Sequence, residues 1–290
     1  MELFRLFFAE NTQALLIISG ILGLVVGSFL NVVIYRLPVI MVHGWREQCA
    51  DYLDCPEKKP ENKAISLSIP GSHCPNCGHT IRVWENIPVL SYLFQRGRCT
   101  SCKQKISWRY PAIELLSAAL SVGLAWKFGF SLLLLSALLL NWSLLTLTFI
   151  DLDEQLLPDQ ITLPLLWLGV LLNIFSFYTP LESSIIGAVA GYLILWSVYW
   201  VFKLFTGKEG MGYGDFKLLA ALGAWFGWQA LPLLLLIASI SGSILGLLFI
   251  LVYHQDRKKP IPFGPYLALA GWIVLFGGES MMLQYYQWLF

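Results

Sequence analysis

Lys208-Glu209-Gly210-Met211-Gly212-Tyr213-Gly214-Asp215-Phe216-Lys217 joins two long apolar runs. A connecting loop needs no three glycines in front of an aspartate at the start of a hydrophobic helix. Residues without Cβ let another main chain come close, so the stretch reads as a place where backbone and carboxylate meet an extended peptide. The plainer reading is a flexible loop with Asp215 as the N-cap of the next helix.

The runs around it decide the fold class. The chain has 290 residues, 57% hydrophobic and 13% charged, a composition too apolar for an ordinary soluble domain. A spanning helix takes about 20 mostly apolar residues. Eight segments qualify: 13–35, 111–127, 131–150, 161–178, 183–205, 216–230, 232–253 and 262–279, the sixth being short. The expected fold is an all-α polytopic membrane protein of about eight transmembrane helices, with a small zinc-binding cytoplasmic domain between the first two. Its expected parts are 1–37 (N-terminal segment and first span), 38–110 (the polar block) and 111–290 (the remaining spans). The first run competes with a cleaved signal peptide, but Glu2 and Glu10 precede it and no small-x-small site follows.

The block from Pro38 to Tyr110 holds ten of the nineteen Lys and Arg. With this block in the cytoplasm, Arg36, Lys203, Lys208, Lys217, Arg257, Lys258 and Lys259 fall on the same side. Only Arg5 and Lys127 lie opposite, a strong positive-inside bias. Net charge is +1, which gives no reason to expect a nucleic-acid partner. The basic loops read as topology and attraction to the lipid bilayer.

Within the block, Cys74-Pro75-Asn76-Cys77 and Cys99-Thr100-Ser101-Cys102 are two C-x-x-C pairs with 21 residues between them. That pattern reads as a four-thiolate zinc site of structural type. A dithiol redox pair or disulfides form the rival reading, disfavoured in a reducing cytoplasm. A block of about 70 residues with few large apolar side chains has a weak core, and zinc supplies on the order of 10 kcal/mol toward folding. Gly78 suits the turn of a knuckle. His73 and His79 read as turn residues, and Cys49 and Cys55 as free thiols.

Acidic residues border the apolar runs at one face. The third run ends in Phe149-Ile150-Asp151-Leu152-Asp153-Glu154, followed by Leu157-Pro158-Asp159; the sixth opens with Gly214-Asp215. Carboxylates at membrane depth are costly unless paired, protonated or hydrated. Two that meet share a proton, since like charges disfavour double ionisation. One then takes a proton from water while the other donates to a substrate carbonyl. Asp151 and Asp153, two apart on a helix end, point different ways, so one faces inward and one faces water. Asp159 reads as a cap after Pro158, and a metal-binding D-x-D is a further alternative. So are a transporter using interfacial carboxylates, which would need polar residues spread through the spans, and a zinc-containing scaffold without chemistry.

The motifs together resemble the type IV prepilin peptidases, membrane enzymes of the G-x-G-D aspartic protease class. The resemblance rests on Gly27-Ser28-Phe29-Leu30-Asn31 through Arg36-Leu37-Pro38, on the two C-x-x-C pairs, on Phe149-Ile150-Asp151 through Pro158-Asp159, and on Gly212-Tyr213-Gly214-Asp215-Phe216-Lys217. It implies a bifunctional enzyme of the bacterial inner membrane. Such an enzyme removes the leader of type IV prepilins or type II secretion pseudopilins after a glycine at the cytoplasmic face. It then methylates the new N-terminus from S-adenosyl-L-methionine. By motif, Asp151 and Asp215 take the catalytic positions, Gly97 a position associated with methyl transfer, and Cys74, Cys77, Cys99 and Cys102 the zinc positions.

Overall fold

The computed structural model describes residues 8, 10–53, 66–253 and 262–289. Cys55 and most of the 49–62 insert, together with Glu2, Arg5, Arg257, Lys258 and Lys259, lie outside the described residues. The regular structure of the described residues is helical, with isolated bridges His73–Thr80 and Arg98–Lys105 in the largely irregular cysteine block.

In chain order the helices are α1 (Thr12–Tyr52), α2 (Leu90–Phe94), α3 (Arg109–Phe128), α4 (Leu132–Glu154), α5 (Asp159–Asn173), α6 (Leu181–Thr206), α7 (Tyr213–Phe226), α8 (Leu231–Tyr253) and α9 (Gly264–Leu289). All eight expected runs are helices. Among the described residues, five helices are long and apolar enough to cross a membrane: α1, α3, α4, α6 and α8. The apolar stretch Gly264–Gly278 is shorter, and α9 breaks helical geometry at Gly278. The chain divides into two compact units, residues 1–142 and 143–290, with the boundary inside α4.

In the first unit, α1 and α3 pack along a line of small residues, the usual route to close helix approach in lipid. A Cβ on Gly23 would lie 2.7 Å from the Ala118 backbone, and one on Gly27 2.8 Å from that of Glu114. Asn31 Nδ2 donates to the Gly27 and Tyr110 carbonyls, each at 3.2 Å. The first apolar run was expected to end at residue 35. The helix instead continues through Pro38 to Tyr52. Arg36, buried near its middle, donates to the Ser66 and Leu67 carbonyls at 3.1 and 3.2 Å, which compensates its charge.

In the second unit, α7 is the core. It has 14 residues, about 21 Å at the helical rise, and nearly every side chain from Asp215 to Phe226 is buried. A helix apolar on all sides belongs inside a bundle, and α5 and α6 flank it. Gly187 of α6 and Gly223 of α7 meet backbone to backbone. A buried helix end needs partners for its carbonyls. Asn173 Nδ2 reaches the Ala224 and Trp225 carbonyls at 2.8 and 3.1 Å, and the Ser184 hydroxyl reaches Ala224 at 2.6 Å. These polar groups at the ends of α5 and α6 therefore cap the end of α7.

Candidate active site

Helix α4 delivers Asp151 in its last turn. The helix stops where Gln155 takes φ +54 and its amide bonds the Asp151 carbonyl at 3.0 Å. Asp151 is 5% exposed, whereas Asp153 and Glu154 are exposed. The expected division between an inward and a water-facing aspartate holds. Asp151 Oδ2 accepts the backbone N–H of Gly264 at 3.0 Å. A Cβ on Gly264 would stand 2.6 Å from that oxygen. Gly264 opens α9, and sequence reasoning missed it because it carries no functional side chain. The Gly264-Pro265 pair, a proline at a helix start, was the available signal.

Asp215 arrives from α7. The N-cap of that helix is Gly212, not Asp215, which sits three residues on. Its carboxylate lies beside the Gly212 backbone and within electrostatic reach of Asp151. Asp215 is 6% exposed. Two buried carboxylates, 64 positions apart in the sequence, thus converge inside one unit.

Leu157 holds the three segments together. It fills the space where a Cβ of Gly214 would fall, 2.7 Å from its own Cβ, and touches the Cβ position of Gly264 at 3.2 Å. This corrects the expectation that the glycines make room for a peptide. The bare face of Gly214 is taken by Leu157, and that of Gly210 by the Phe202 ring at 2.8 Å; only Gly212 faces open space, its nearest neighbour 3.9 Å away. Gly210 and Gly214 serve internal packing, and Gly212 alone of the three is open.

Asp159 is not the N-cap expected for α5; that position is Pro158, with no side-chain capping bond. Its carboxylate instead grips Lys217 Nζ at 2.7 Å through both oxygens, tying the start of α5 to α7. Nearby, Lys203 bonds Glu209 at 2.9 Å and the Tyr199 hydroxyl at 3.1 Å, anchoring the glycine loop to α6.

In the first unit, Cys74, Cys77, Cys99 and Cys102 form one cluster. Their sulfurs all lie within 4.8 Å of one another, with Cys74–Cys102 at 3.8 Å and Cys77–Cys99 at 4.0 Å. A tetrahedron with Zn–S of about 2.3 Å has edges of about 3.8 Å, whereas a disulfide is about 2.05 Å. The residues therefore fit a single tetrahedral ion. The knuckles repeat one pattern. Gly78 N–H meets the Cys74 carbonyl at 2.9 Å, and Lys103 N–H meets that of Cys99 at 3.1 Å, with φ of +69 and +59.

Protons are shared unequally among the free thiols. The Gln104 backbone, then Asn76, pull Cys102 down to about 6. At Cys77 the His79 backbone favours the thiolate, but desolvation and the neighbouring thiols outweigh it and push the group up to about 11. Glu85 joins the knuckles. It accepts the Arg82 amide at 2.9 Å and the Thr100 hydroxyl at 2.8 Å, and sits 3.2 Å from His79 Nε2. These bonds, the Arg82 amide first, hold its carboxyl below the usual value. His79 is thus a partner of Glu85, and His73 Nδ1 lies 2.9 Å from the Gly71 carbonyl; neither belongs to the sulfur cluster.

Gly97 follows α2 with φ +64; a Cβ there would lie 2.9 Å from the Tyr92 hydroxyl. Its amide bonds the Tyr92 carbonyl at 2.8 Å, and its own carbonyl accepts the Ile106 amide at 2.8 Å. The turn itself demands glycine.

Comparison with known proteins agrees over nearly the whole chain. Residues 21–128 match the bacterial peptidase A24 N-terminal domain, and residues 138–247 match the type IV leader peptidase family. The chain is 53% identical over 281 residues to a prepilin leader peptidase/N-methyltransferase of Stutzerimonas stutzeri, covering 97% of each. It is 52% identical to one of Pseudomonas putida, covering 95% of each, and 55% identical to one of Aeromonas salmonicida, covering 91% of each. No solved structure matches it. With converging aspartates, a four-thiol cluster and relatives of this identity over this length, the chain belongs to the type IV leader peptidase family.

Proposed function

We propose that this protein cleaves the leader from type IV prepilins or type II secretion pseudopilins after a glycine, and then methylates the new N-terminus from S-adenosyl-L-methionine. Asp151 and Asp215 are the catalytic pair of the first step. The observation that carries this is their convergence: two buried carboxylates within electrostatic reach, one fixed by the Gly264 amide. In this reading one carboxylate accepts a proton from water as the water attacks the scissile carbonyl. The other donates to the developing oxyanion, and the proton then passes to the leaving amine. Burial keeps bulk water from screening the pair.

The cysteine-bound part, residues 38–110, serves the second step, and 111–290 the first. Cys74, Cys77, Cys99 and Cys102 hold a structural zinc ion, which fits the sulfur spacing. S-adenosyl-L-methionine supplies an electrophilic methyl group for the new α-amine. Gly97 acts on this step through the shape of its turn, since its φ disfavours a side chain and the Tyr92 hydroxyl occupies the space one would take. The protein is a multi-pass inner-membrane enzyme with its zinc-binding part and active site on the cytoplasmic side, as the Lys and Arg distribution supports.

The test is a cleavage assay on a prepilin peptide with purified enzyme in detergent, read by mass spectrometry of the mature end. Asp151→Asn and Asp215→Asn each abolish cleavage while methylation of a pre-cleaved peptide continues. Gly97→Lys does the reverse. Normal cleavage by either asparagine variant removes that residue from the mechanism.

A further inference from the structure

The cysteine block carries an apolar surface that its own fold does not use. Between the knuckles, a short 3-10 turn at Val83–Asn86 leads into α2. Along this segment Val83, Trp84, Ile87, Leu90, Leu93 and Phe94 are all exposed, with Val83 at 86% and Phe94 at 85%. In a block bathed by cytosol this would be an unusually apolar outer face. Arginines border it. Arg82 lies over the Trp84 ring at 5.4 Å, and Arg96 and Arg98 follow α2, both exposed.

The depth of the segment gives the surface its partner. Asn86 and Pro88 line a cleft with Val25, Ser28, Phe29 and Val32 of α1. Ser28 precedes Arg36 by eight residues, about 12 Å at the helical rise, so this part of α1 lies well inside its apolar stretch. On the other side, the Val89 amide donates to Glu114 Oε2 at 2.7 Å. Glu114 is five residues into α3, about 7 Å past its first residue. Two contacts with two spanning helices therefore draw residues 86–89 down to the level of those helices. The exposed side chains beside them continue the apolar outer surfaces of α1 and α3. Trp108 and Tyr110, exposed at the start of α3, are the aromatic residues expected where a span meets the headgroups.

From this geometry we infer that residues 83–94 form a foot seated in the bilayer, its apolar side chains in the headgroup–acyl boundary of the leaflet on the cysteine side. Arg82, Arg96 and Arg98 meet lipid phosphates above it. The foot joins the knuckles through Glu85, which bonds Thr100 and His79. It sets the height of the turn that follows, so Gly97, three residues beyond Phe94, is held at the membrane surface. The lipid contact stands independently of the methyl-transfer reading.

Photo-crosslinking of the full-length protein tests it. p-Benzoylphenylalanine is placed singly at Val83, Leu93 or Phe94, and at the exposed Lys105 as the comparison. Each protein is reconstituted in vesicles of phosphatidylethanolamine and phosphatidylglycerol. Retention of one metal per four cysteines confirms the fold, and three separate positions guard against one variant failing. The expected result is phospholipid adducts at the three foot positions and none above background at Lys105. Folded foot variants without lipid adducts, adducts to protein instead of lipid, or equal labelling at Lys105 would each overturn the inference.

Discussion

All four thiols come from residues 74–102, and each knuckle closes through backbone bonds between neighbours only a few positions apart. The surroundings of Asp151 come from three separate places: 151–159, 212–217 and Gly264, whose amide is 113 residues away. The first arrangement is local and held by a chelate. The second exists only once α4, α7 and α9 have packed. An ion gathers thiolates and releases its binding energy directly into folding. Like charges resist the meeting of the aspartates, and burial of α7 has to compensate. The two regions should therefore fail by different routes, and several changes expose this.

The largest effect is expected on the cysteine side. Cys74→Ser together with Cys102→Ser, or metal removal by a strong chelator, forfeits a binding energy of order 10 kcal/mol. The result should be proteolytic sensitivity across the 66–108 block and loss of methylation. Cleavage in detergent should persist, because the residues around both aspartates belong to the second unit. Parallel loss of cleavage would show that the two regions are not separate in stability.

Next in size is Gly264→Val. Its Cβ would fall 2.6 Å from Asp151 Oδ2, and α9 or the carboxylate has to move. Overpacking costs about 1–3 kcal/mol, and a misplaced acid–base group loses roughly 10²-fold in rate. Cleavage kinetics against thermal unfolding separate the two contributions. A rate loss well beyond the stability loss marks Gly264 as a positioning residue; proportionate losses mark a packing residue alone.

Gly97→Ala comes third. A non-glycine residue at φ +64 costs of order 1 kcal/mol, and the Tyr92 hydroxyl adds a clash at 2.9 Å. Methylation should fall several-fold with cleavage unchanged. Adding Tyr92→Ala removes the clash and leaves the backbone strain, so partial rescue is expected. Full rescue would place the whole requirement on Tyr92.

The same contrast governs what the sequence could disclose. The C-x-x-C spacing states a tetrahedron outright, because ligand geometry repeats within a few residues. Asp151 and Asp215 were readable as acids at the ends of apolar runs, and their motif neighbours pointed to a pair. Gly264 was not readable, because its contribution is a backbone N–H, which every residue but proline offers. The glycine loop was misread for a related reason. Sequence shows that Gly214 lacks a side chain but not that Leu157 fills the space. The apolar run ended at residue 35, yet within a packed bundle a proline is tolerated inside a helix, and α1 runs on through Pro38 to Tyr52.

The smallest effect concerns Lys217 and Asp159, the ion pair that joins α7 to α5. Both contacts are 2.7 Å, a geometry that invites a large estimate. Yet the two side chains are 28% and 51% exposed. Exposed pairs contribute about 0–1 kcal/mol because water and salt already screen them. Lys217→Met should therefore shift thermal unfolding only slightly, and added salt should reduce the stability of the parent protein by a similar amount. Its effect on cleavage should also be small, since the pair sits at the exposed ends of α5 and α7 while Asp215 itself is buried. A large loss of cleavage in Lys217→Met, restored by the double change with Asp159→Asn, would reveal something else. It would mean that the unpaired Asp159 charge disturbs the proposed pair, Asp151 and Asp215. The electrostatic environment of the dyad would then extend to the helix ends, beyond the two buried carboxylates.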